Sequence, residues 1–364
     1  MSLDYKQQAM MRNNEKIREL RGELPIFLNR YINASLDKSS HTIVSYLSKF
    51  KTFLQFLTEN YPQYQGKQLS AFTLQDLAGI DQFLIEDFSM WLNTTQVDQT
   101  RDRKAGDKLS TINVYLSALS SIWTYYESAG LLHDNPFRKV KRMKRARSSP
   151  SYLRGEENVS FYEDVISGDR LTERSRSYRD KQGSSYRDYM IVRMMGLTGI
   201  RVSELVGLDI DDFVFSEHFF YVVRKGKEKT QERARIYIND ELLQEIQEYL
   251  ADDRPSYHPD PAEKAMFLVA QGKYTGKRLG VRSVENIVKK YAMSSGIIDA
   301  AEFHPHSLRH SFAMNSLRNS GNIALVQAQL GHANIETTTV YAHVEQEILR
   351  KERNSGTWKK TEEE

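Results

Sequence analysis

The chain of 364 residues contains no cysteine, which rules out disulfides, thiolate zinc sites and a thiol nucleophile. It also lacks any run of about 18 apolar residues, the minimum for a membrane-spanning helix. Its first stretch, MSLDYKQQAMMRNNEK, is polar and has no apolar segment of the signal-peptide kind. The expectation is a cytoplasmic protein that does not enter a membrane. A charge excess is missing as well: 51 Lys and Arg stand against 48 Asp and Glu, for a net charge of +3. Overall charge therefore does not announce nucleic acid, and the distribution of charge has to. What is present is 40% hydrophobic and 27% charged residues with a mean hydropathy of −0.59, the profile of a globular chain. A prior of one domain per roughly 150 residues suggests two domains.

Charge is concentrated in one place. Between Arg138 and Arg147 the segment RKVKRMKRAR carries Arg138, Lys139, Lys141, Arg142, Lys144, Arg145 and Arg147 and no acidic residue, bracketed by Asn135-Pro136 and Ser148-Ser149-Pro150. It reads as an exposed basic linker that can neutralise phosphates and release counterions. A solvated charge run is the alternative, and the position between two folded halves favours the first.

The half before it reads as helices. Ile43, Tyr46, Leu47, Phe50, Phe53, Leu54 and Leu57 recur at three- and four-residue spacing, with Ser39 and Ser40 available as N-caps. Ile112, Leu116, Leu119, Ile122, Trp123 and Tyr126 repeat the pattern until Gly130, and Phe83, Leu84, Phe88, Trp91 and Leu92 form a third stripe between them. Such stripes are core faces of a small helical bundle. Function is left to the exposed faces, where Lys49, Lys51 and the basic residues between Arg101 and Lys108 can meet phosphates.

The half after the linker carries the chemistry. A buried helix in YRDYMIVRMMGLTGIRVSELVGL breaks at Thr198-Gly199, so a new helix starts near Arg201 with Glu204 one turn on. FFYVVRKGKEKTQERARIYI reads as a β-hairpin with Lys225 entering its charged turn; Lys227 and Lys229 compete for any special role there. In HPHSLRHSFAMNSLRNSG, His306 and Arg309 lie three apart on one helical face, and His310 can share it. No carboxylate of the usual zinc pattern accompanies these histidines, so no metal is expected. In QLGHANIETTTVYAHV, His332 precedes Tyr341 by nine residues. Two arginines, a lysine, two histidines and a tyrosine are what is needed to hold a phosphodiester, protonate its leaving oxygen and attack it with a phenol.

TGIRVSELVGL, HPHSLRHSFA and LGHANIETTTVYAHV resemble the three signature blocks of the tyrosine recombinase (phage integrase) family, in order and spacing. LSALSSIWTYY, the basic linker and the RKG turn are most similar to the XerS type of Xer recombinase. The resemblance implies a mainly α fold with a small β-sheet: a helical, SAM-like core-binding domain followed by a mixed α/β catalytic domain. The corresponding division is an N-terminal tail over 1–22, a core-binding DNA-binding domain over 23–133, the basic linker over 134–170, the catalytic domain over 171–352 and a polar tail over 353–364.

The family's chemistry, carried onto these positions, has Arg201 and Arg309 binding the scissile phosphate, Tyr341 attacking it, and His306 taking the phenolic proton. Lys225 protonates the departing 5′ oxygen, His332 hydrogen-bonds the phosphate, and Glu204 orients a catalytic side chain. The bond energy is kept in a 3′-phosphotyrosyl ester, so no cofactor, ATP or metal is expected. The implied partners are a double-stranded DNA recombination site, a homotetramer on two duplexes and a septal DNA translocase of the FtsK kind. Chromosome dimer resolution is the implied role; an integrase of a phage or conjugative element and a catalytically silent DNA binder are the alternatives. Two family features differ: Ser307 stands where many relatives have lysine, and Thr230 to Arg235 lengthens the hairpin, which leaves the lysine register open. The apolar Val344, Ile348 and Leu349 after Tyr341 suit docking on a neighbouring subunit, or folding back on their own domain.

Overall fold

The computed structural model describes residues 5–94, 105–142, 152–153, 155–224, 232–297 and 300–330, and the chain forms two units, Met1–Ser148 and Ser149–Glu364. The first is helical throughout: α1 (Tyr5–Glu23), α2 (Leu28–Ala34), α3 (Ser40–Asn60), α4 (Leu74–Ala78), α5 (Gln82–Thr94) and α6 (Ala105–Ser128). Ser39 starts α3, its hydroxyl accepting from the Thr42 amide at 3.2 Å, which satisfies one of the orphan donors of the first turn. The stripe that follows is fully inside: Leu47, Phe50, Phe53, Leu54 and Leu57 meet Phe88 of α5 and Trp123 of α6. Ring centroids of Phe53 lie 5.0 Å from Phe88 and 5.9 Å from Trp123, edge-on geometries that aromatic quadrupoles favour.

Both ends of this unit depart from the sequence reading. Residues 5–23 are a helix rather than a tail: Leu20 and the following Leu24 are buried in the core, Ile17 packs against it, and Asn13 donates to Ser40. At the other end, the first part of the expected linker belongs to the unit. Asn135 is buried and its amide donates to the Ser120 carbonyl and hydroxyl, both at 3.0 Å, and to Thr124 at 2.9 Å. Its side-chain oxygen accepts from the Phe137 amide, so Pro136 and Phe137 are drawn onto α6, with the Phe137 ring 4.8 Å from Trp123. One polar residue, satisfied on both of its faces, turns a nominal strap into core.

The second unit comprises α7 (Gly155–Ser167), α8 (Glu173–Lys181), α9 (Ser185–Thr198), α10 (Val202–Val206), strands β1 (Phe213–Val214), β2 (Phe219–Val223) and β3 (Arg233–Tyr237), then α11 (Asp240–Glu248), α12 (Arg254–Ser256), α13 (Val281–Ser294), α14 (Pro305–Ser320) and α15 (Ile323–Leu330). The three strands form one antiparallel sheet in the order β1-β2-β3, with Phe219 opposite Tyr237 and Val223 opposite Arg233. The expected hairpin is thus present and gains a third, two-residue strand. A π-helical turn over Tyr249–Asp253 joins α11 to α12. Described residues in the later part of the expected linker are folded too: Tyr152 packs with α14, and α7 buries Phe161, Tyr162 and Val165, with Phe161 5.7 Å from Phe303. The apolar spacing of FYEDVI is that of a core helix, so this unit begins earlier than residue 171. Central to it is α9, in which Met190, Ile191, Val192, Met194 and Met195 are all buried.

Candidate active site

The Thr-Gly break works as the sequence suggests, and the reason is packing. Gly199 ends α9 at φ +64°, and its amide returns to the Met195 carbonyl at 3.0 Å. A Cβ there would sit 2.4 Å from Phe312 and 2.8 Å from Leu330, so only glycine permits both the left-handed turn and the approach of α14 and α15. Close approach has a chemical product. The Arg309 guanidinium, buried in α14, donates through Nη1 to the Gly199 carbonyl and through Nη2 to the Leu330 carbonyl at 2.7 Å. Arg309 is thereby tied to a point two residues from Arg201, although the two are far apart in sequence.

Arg201 is the N-cap of α10, and Glu204 in the first turn answers it twice. Oε2 accepts from the Arg201 amide at 2.9 Å and Oε1 from Arg201 Nη1 at 2.8 Å. The Glu204 side chain is 2% exposed and that of Arg201 21%, so the carboxylate is buried while the guanidinium keeps an open edge. A third partner, which the sequence reading passed over, is Arg224 at the end of β2, which donates from Nη1 to Glu204 Oε2 at 3.2 Å and from Nη2 to the Gln329 carbonyl at 2.6 Å. Its sequence signal is its place directly before Lys225, where a charge at a strand end is easily taken for a solubility device.

His306 occupies the exposed first turn of α14. The helix is started by His304, whose Nδ1 accepts from the Ser307 amide at 3.3 Å, while Ser307 Oγ accepts from the His304 amide at 3.2 Å. Ser307, at the position that differs from many relatives, is therefore a capping residue and 2% exposed. The His304 and His306 rings stand edge to face, 5.8 Å apart. His310, one turn further on, is held down to about 4 by burial first and then by the neighbouring His306, His304 and Arg309. It is neutral near pH 7 and adds no charge to the site.

Arg201, Glu204 and Arg309 are thus brought together around the Gly199 turn, with His306 on the same helix as Arg309. Lys225, His332 and Tyr341 lie outside the described residues, as do Lys144, Arg145 and Arg147. The other residues of the basic run, Arg138 to Arg142, belong to the first unit: Arg138 pairs with Glu127 at 2.9 Å, Lys139 with Asp134, Arg142 donates to the Asn113 carbonyl at 3.2 Å, and Lys141 is exposed.

Residues 169–347 match the phage integrase family. The chain is 30% identical over 248 residues to the tyrosine recombinase XerC of Thermodesulfovibrio yellowstonii, covering 66% of this chain and 73% of the relative. To the tyrosine recombinase XerS of Streptococcus uberis it is 27% identical over 351 residues, 91% of this chain and 95% of the relative. Its fold is similar to that of the XerH site-specific recombinase in a post-cleavage complex with palindromic difH substrate, with a TM-score of 0.61 at 19% identity over 95% of this chain and 89% of that one. With Arg201, Glu204 and Arg309 gathered around one turn and relatives matched along nearly the whole length, the chain belongs to the phage integrase family of tyrosine recombinases, as an Xer-type enzyme that cleaves and rejoins DNA through a tyrosine intermediate.

Proposed function

We propose that this Xer-type recombinase resolves chromosome dimers, acting in the cytoplasm as a homotetramer on two DNA duplexes, with a septal translocase as its activator. Arg201 and Arg309 bind the scissile phosphate, Tyr341 attacks it, His306 receives the phenolic proton, Lys225 protonates the 5′ leaving oxygen and His332 hydrogen-bonds the phosphate. The observation that carries this assignment is the bond from Arg309 to the Gly199 carbonyl, which draws the second arginine to the turn that presents the first. Two guanidinium forks around one phosphate would oppose the charge that builds at phosphorus, from positions fixed before the reaction starts. The phenol, with a reference pKa of about 10, needs both a proton acceptor and positive surroundings. The basic residues Arg138, Lys139, Lys141 and Arg142, with Lys144, Arg145 and Arg147 that follow them in sequence, would add salt-sensitive contacts to the DNA backbone. Likeness to XerS along 91% of this chain favours the chromosomal role.

The catalytic assignment is tested by Tyr341→Phe on a nicked suicide substrate. Binding to a half-site should persist while the covalent protein–DNA band disappears from a denaturing gel; a band that persists would mean another nucleophile. The cellular role is tested in a deletion strain, where dimeric chromosomes should accumulate. Unchanged chromosomes together with a trapped mobile element would assign the enzyme to integration instead.

A further inference from the structure

Glu204 serves two arginines at once. Its Oε2 accepts from the Arg201 amide and from Arg224 Nη1, while Oε1 alone meets the Arg201 guanidinium, through Nη1. A carboxylate oxygen offers about two good acceptor directions, so Oε2 is filled. Arg201 is thereby kept from the two-point, fork-to-fork pairing that a carboxylate and a guanidinium otherwise prefer. Among the described residues, Arg201 Nε and Nη2 donate to nothing, and the side chain is 21% exposed. That open edge is what an incoming phosphate would need.

The guanidinium of Arg224 is itself fixed from outside this pair. Its side chain is 12% exposed, and its other arm holds the Gln329 carbonyl near the end of α15, one residue before the Leu330 carbonyl that takes Arg309. Burial, opposed by the attraction of Glu204 and reinforced by repulsion from Arg201, lowers its pKa from the usual arginine value, and Nε is buried without a hydrogen-bond partner. A cation placed at such a cost is held there by its bonds to Glu204 and the Gln329 carbonyl.

We propose that Arg224 is a positioning residue for strand cleavage: by occupying Glu204 Oε2 and anchoring on the Gln329 carbonyl, it keeps the free edge of Arg201 turned toward the scissile phosphate. This rests on Arg201 being a phosphate-binding residue. When Arg224 is removed, one acceptor direction of Oε2 opens beside the Arg201 amide, the Arg201 guanidinium takes it as a second point of pairing with Glu204, and the edge that would meet the phosphate is consumed within the protein.

The test compares cleavage of a suicide substrate carrying a normal scissile phosphodiester with cleavage of one carrying a neutral methylphosphonate there, which needs no guanidinium to offset its charge. In Arg224→Gln, phosphodiester cleavage should fall at least about tenfold with half-site affinity within about twofold, while the methylphosphonate is cleaved within about threefold of the parent rate. Parent-like cleavage of the phosphodiester, or an equal loss on both substrates, overturns the proposal. Should Arg224→Gln fail to bind a half-site, Arg224→Lys, which keeps the charge but cannot span Glu204 and Gln329, is judged by the same two criteria. Arg201→Ala is the control. Its rescue by the methylphosphonate is expected; without that rescue, the assignment of Arg201 fails and the proposal falls with it, whereas rescue of Arg201→Ala but not of Arg224→Gln defeats the positioning role alone.

Discussion

The first unit is filled with rings and the second is threaded with guanidinium groups. In the first, Trp123, Phe50, Phe53, Phe88, Phe137, Tyr31 and Tyr126 are all but fully buried, and the buried polar side chains among the described residues are Ser35, Ser89 and Asn135, none of them charged. In the second, Arg179, Arg187, Arg254 and Arg309 are buried, and each donates to backbone carbonyls. Those carbonyls belong to loops and helix ends: Val165, Ile166 and Ser167 for Arg179, Leu268 for Arg187, Ala265 and Glu263 for Arg254, Gly199 and Leu330 for Arg309. The hydrophobic burial that dominates ring packing is non-directional and proportional to buried area; a guanidinium on carbonyls fixes where a chain segment ends. A unit whose chemistry comes from residues far apart in sequence requires the second kind of hold, and a helical unit that presents a surface can rely on the first.

The largest expected effect lies in the ring-filled unit. Trp123 touches Phe50, Phe53 and Phe137, so Trp123→Ala should cost about 3–5 kcal/mol, the range for an emptied aromatic site. Amide hydrogen exchange resolves the two units, and protection should fall in α3, α5 and α6 while α9 and α14 keep theirs. Equal loss in both would mean that the units do not hold themselves separately.

The guanidinium unit should respond to a change that leaves volume nearly intact. Arg179 donates to three carbonyls at the end of α7, at 3.1, 3.3 and 2.8 Å. Arg179→Met leaves the Val165 carbonyl unpaired in the interior and the partly buried Ile166 and Ser167 carbonyls without this donor, and a loss of about 1–3 kcal/mol is expected, the range for an unpaired buried acceptor. Arg179→Lys should recover less than half of it, because one ammonium cannot address a row of carbonyls as a planar fork does. By contrast, removing the half-buried Lys51 of the first unit from its pair with the exposed Glu23 should change stability by less than about 1 kcal/mol. Urea midpoints measure all three variants, and full recovery in Arg179→Lys would reduce the clamp to simple charge.

This difference also governs what the sequence reveals. The stripes of α3, α5 and α6 are legible because apolar side chains carry their own periodicity, although Phe83, expected on the core face of α5, is exposed. Helix α1 is not legible, because among the described side chains only Ile17, Leu20 and the following Leu24 address the core, too few to stand out in a polar stretch. In the site, Arg201, Glu204, His306 and Arg309 are legible as side chains in a familiar order. Arg224 is not, because its second partner is the carbonyl of Gln329, and a carbonyl is present at every residue and leaves no mark in the sequence. The same holds for Asn135, whose contacts with Ser120 and Thr124 turn an apparent linker into core.

The smallest expected effect concerns how complete that directional network is. Among the described residues, the buried side-chain atoms without a hydrogen-bond partner are Asn158 Oδ1, Tyr162 Oη, Asp164 Oδ2, Arg224 Nε and Ser295 Oγ, all in the second unit. Tyr162 is the simplest to isolate, since its ring lies 5.2 Å from the Arg193 guanidinium and burial pushes its hydroxyl up to about 12. Tyr162→Phe keeps the ring over Arg193 and removes only the unpaired hydroxyl, so it should leave stability unchanged or raise it by up to about 1 kcal/mol. The hydroxyl also presses on α9: a Cβ at Gly196 would lie 2.0 Å from Tyr162 Oη and 3.0 Å from Cζ. Gly196→Ala should therefore destabilise strongly beside tyrosine and less beside phenylalanine, a coupling that a double-mutant cycle in urea isolates. Additive losses would mean that the hydroxyl does not crowd position 196, and a Tyr162→Phe variant weaker by more than about 1 kcal/mol would mean that the hydroxyl is paired after all.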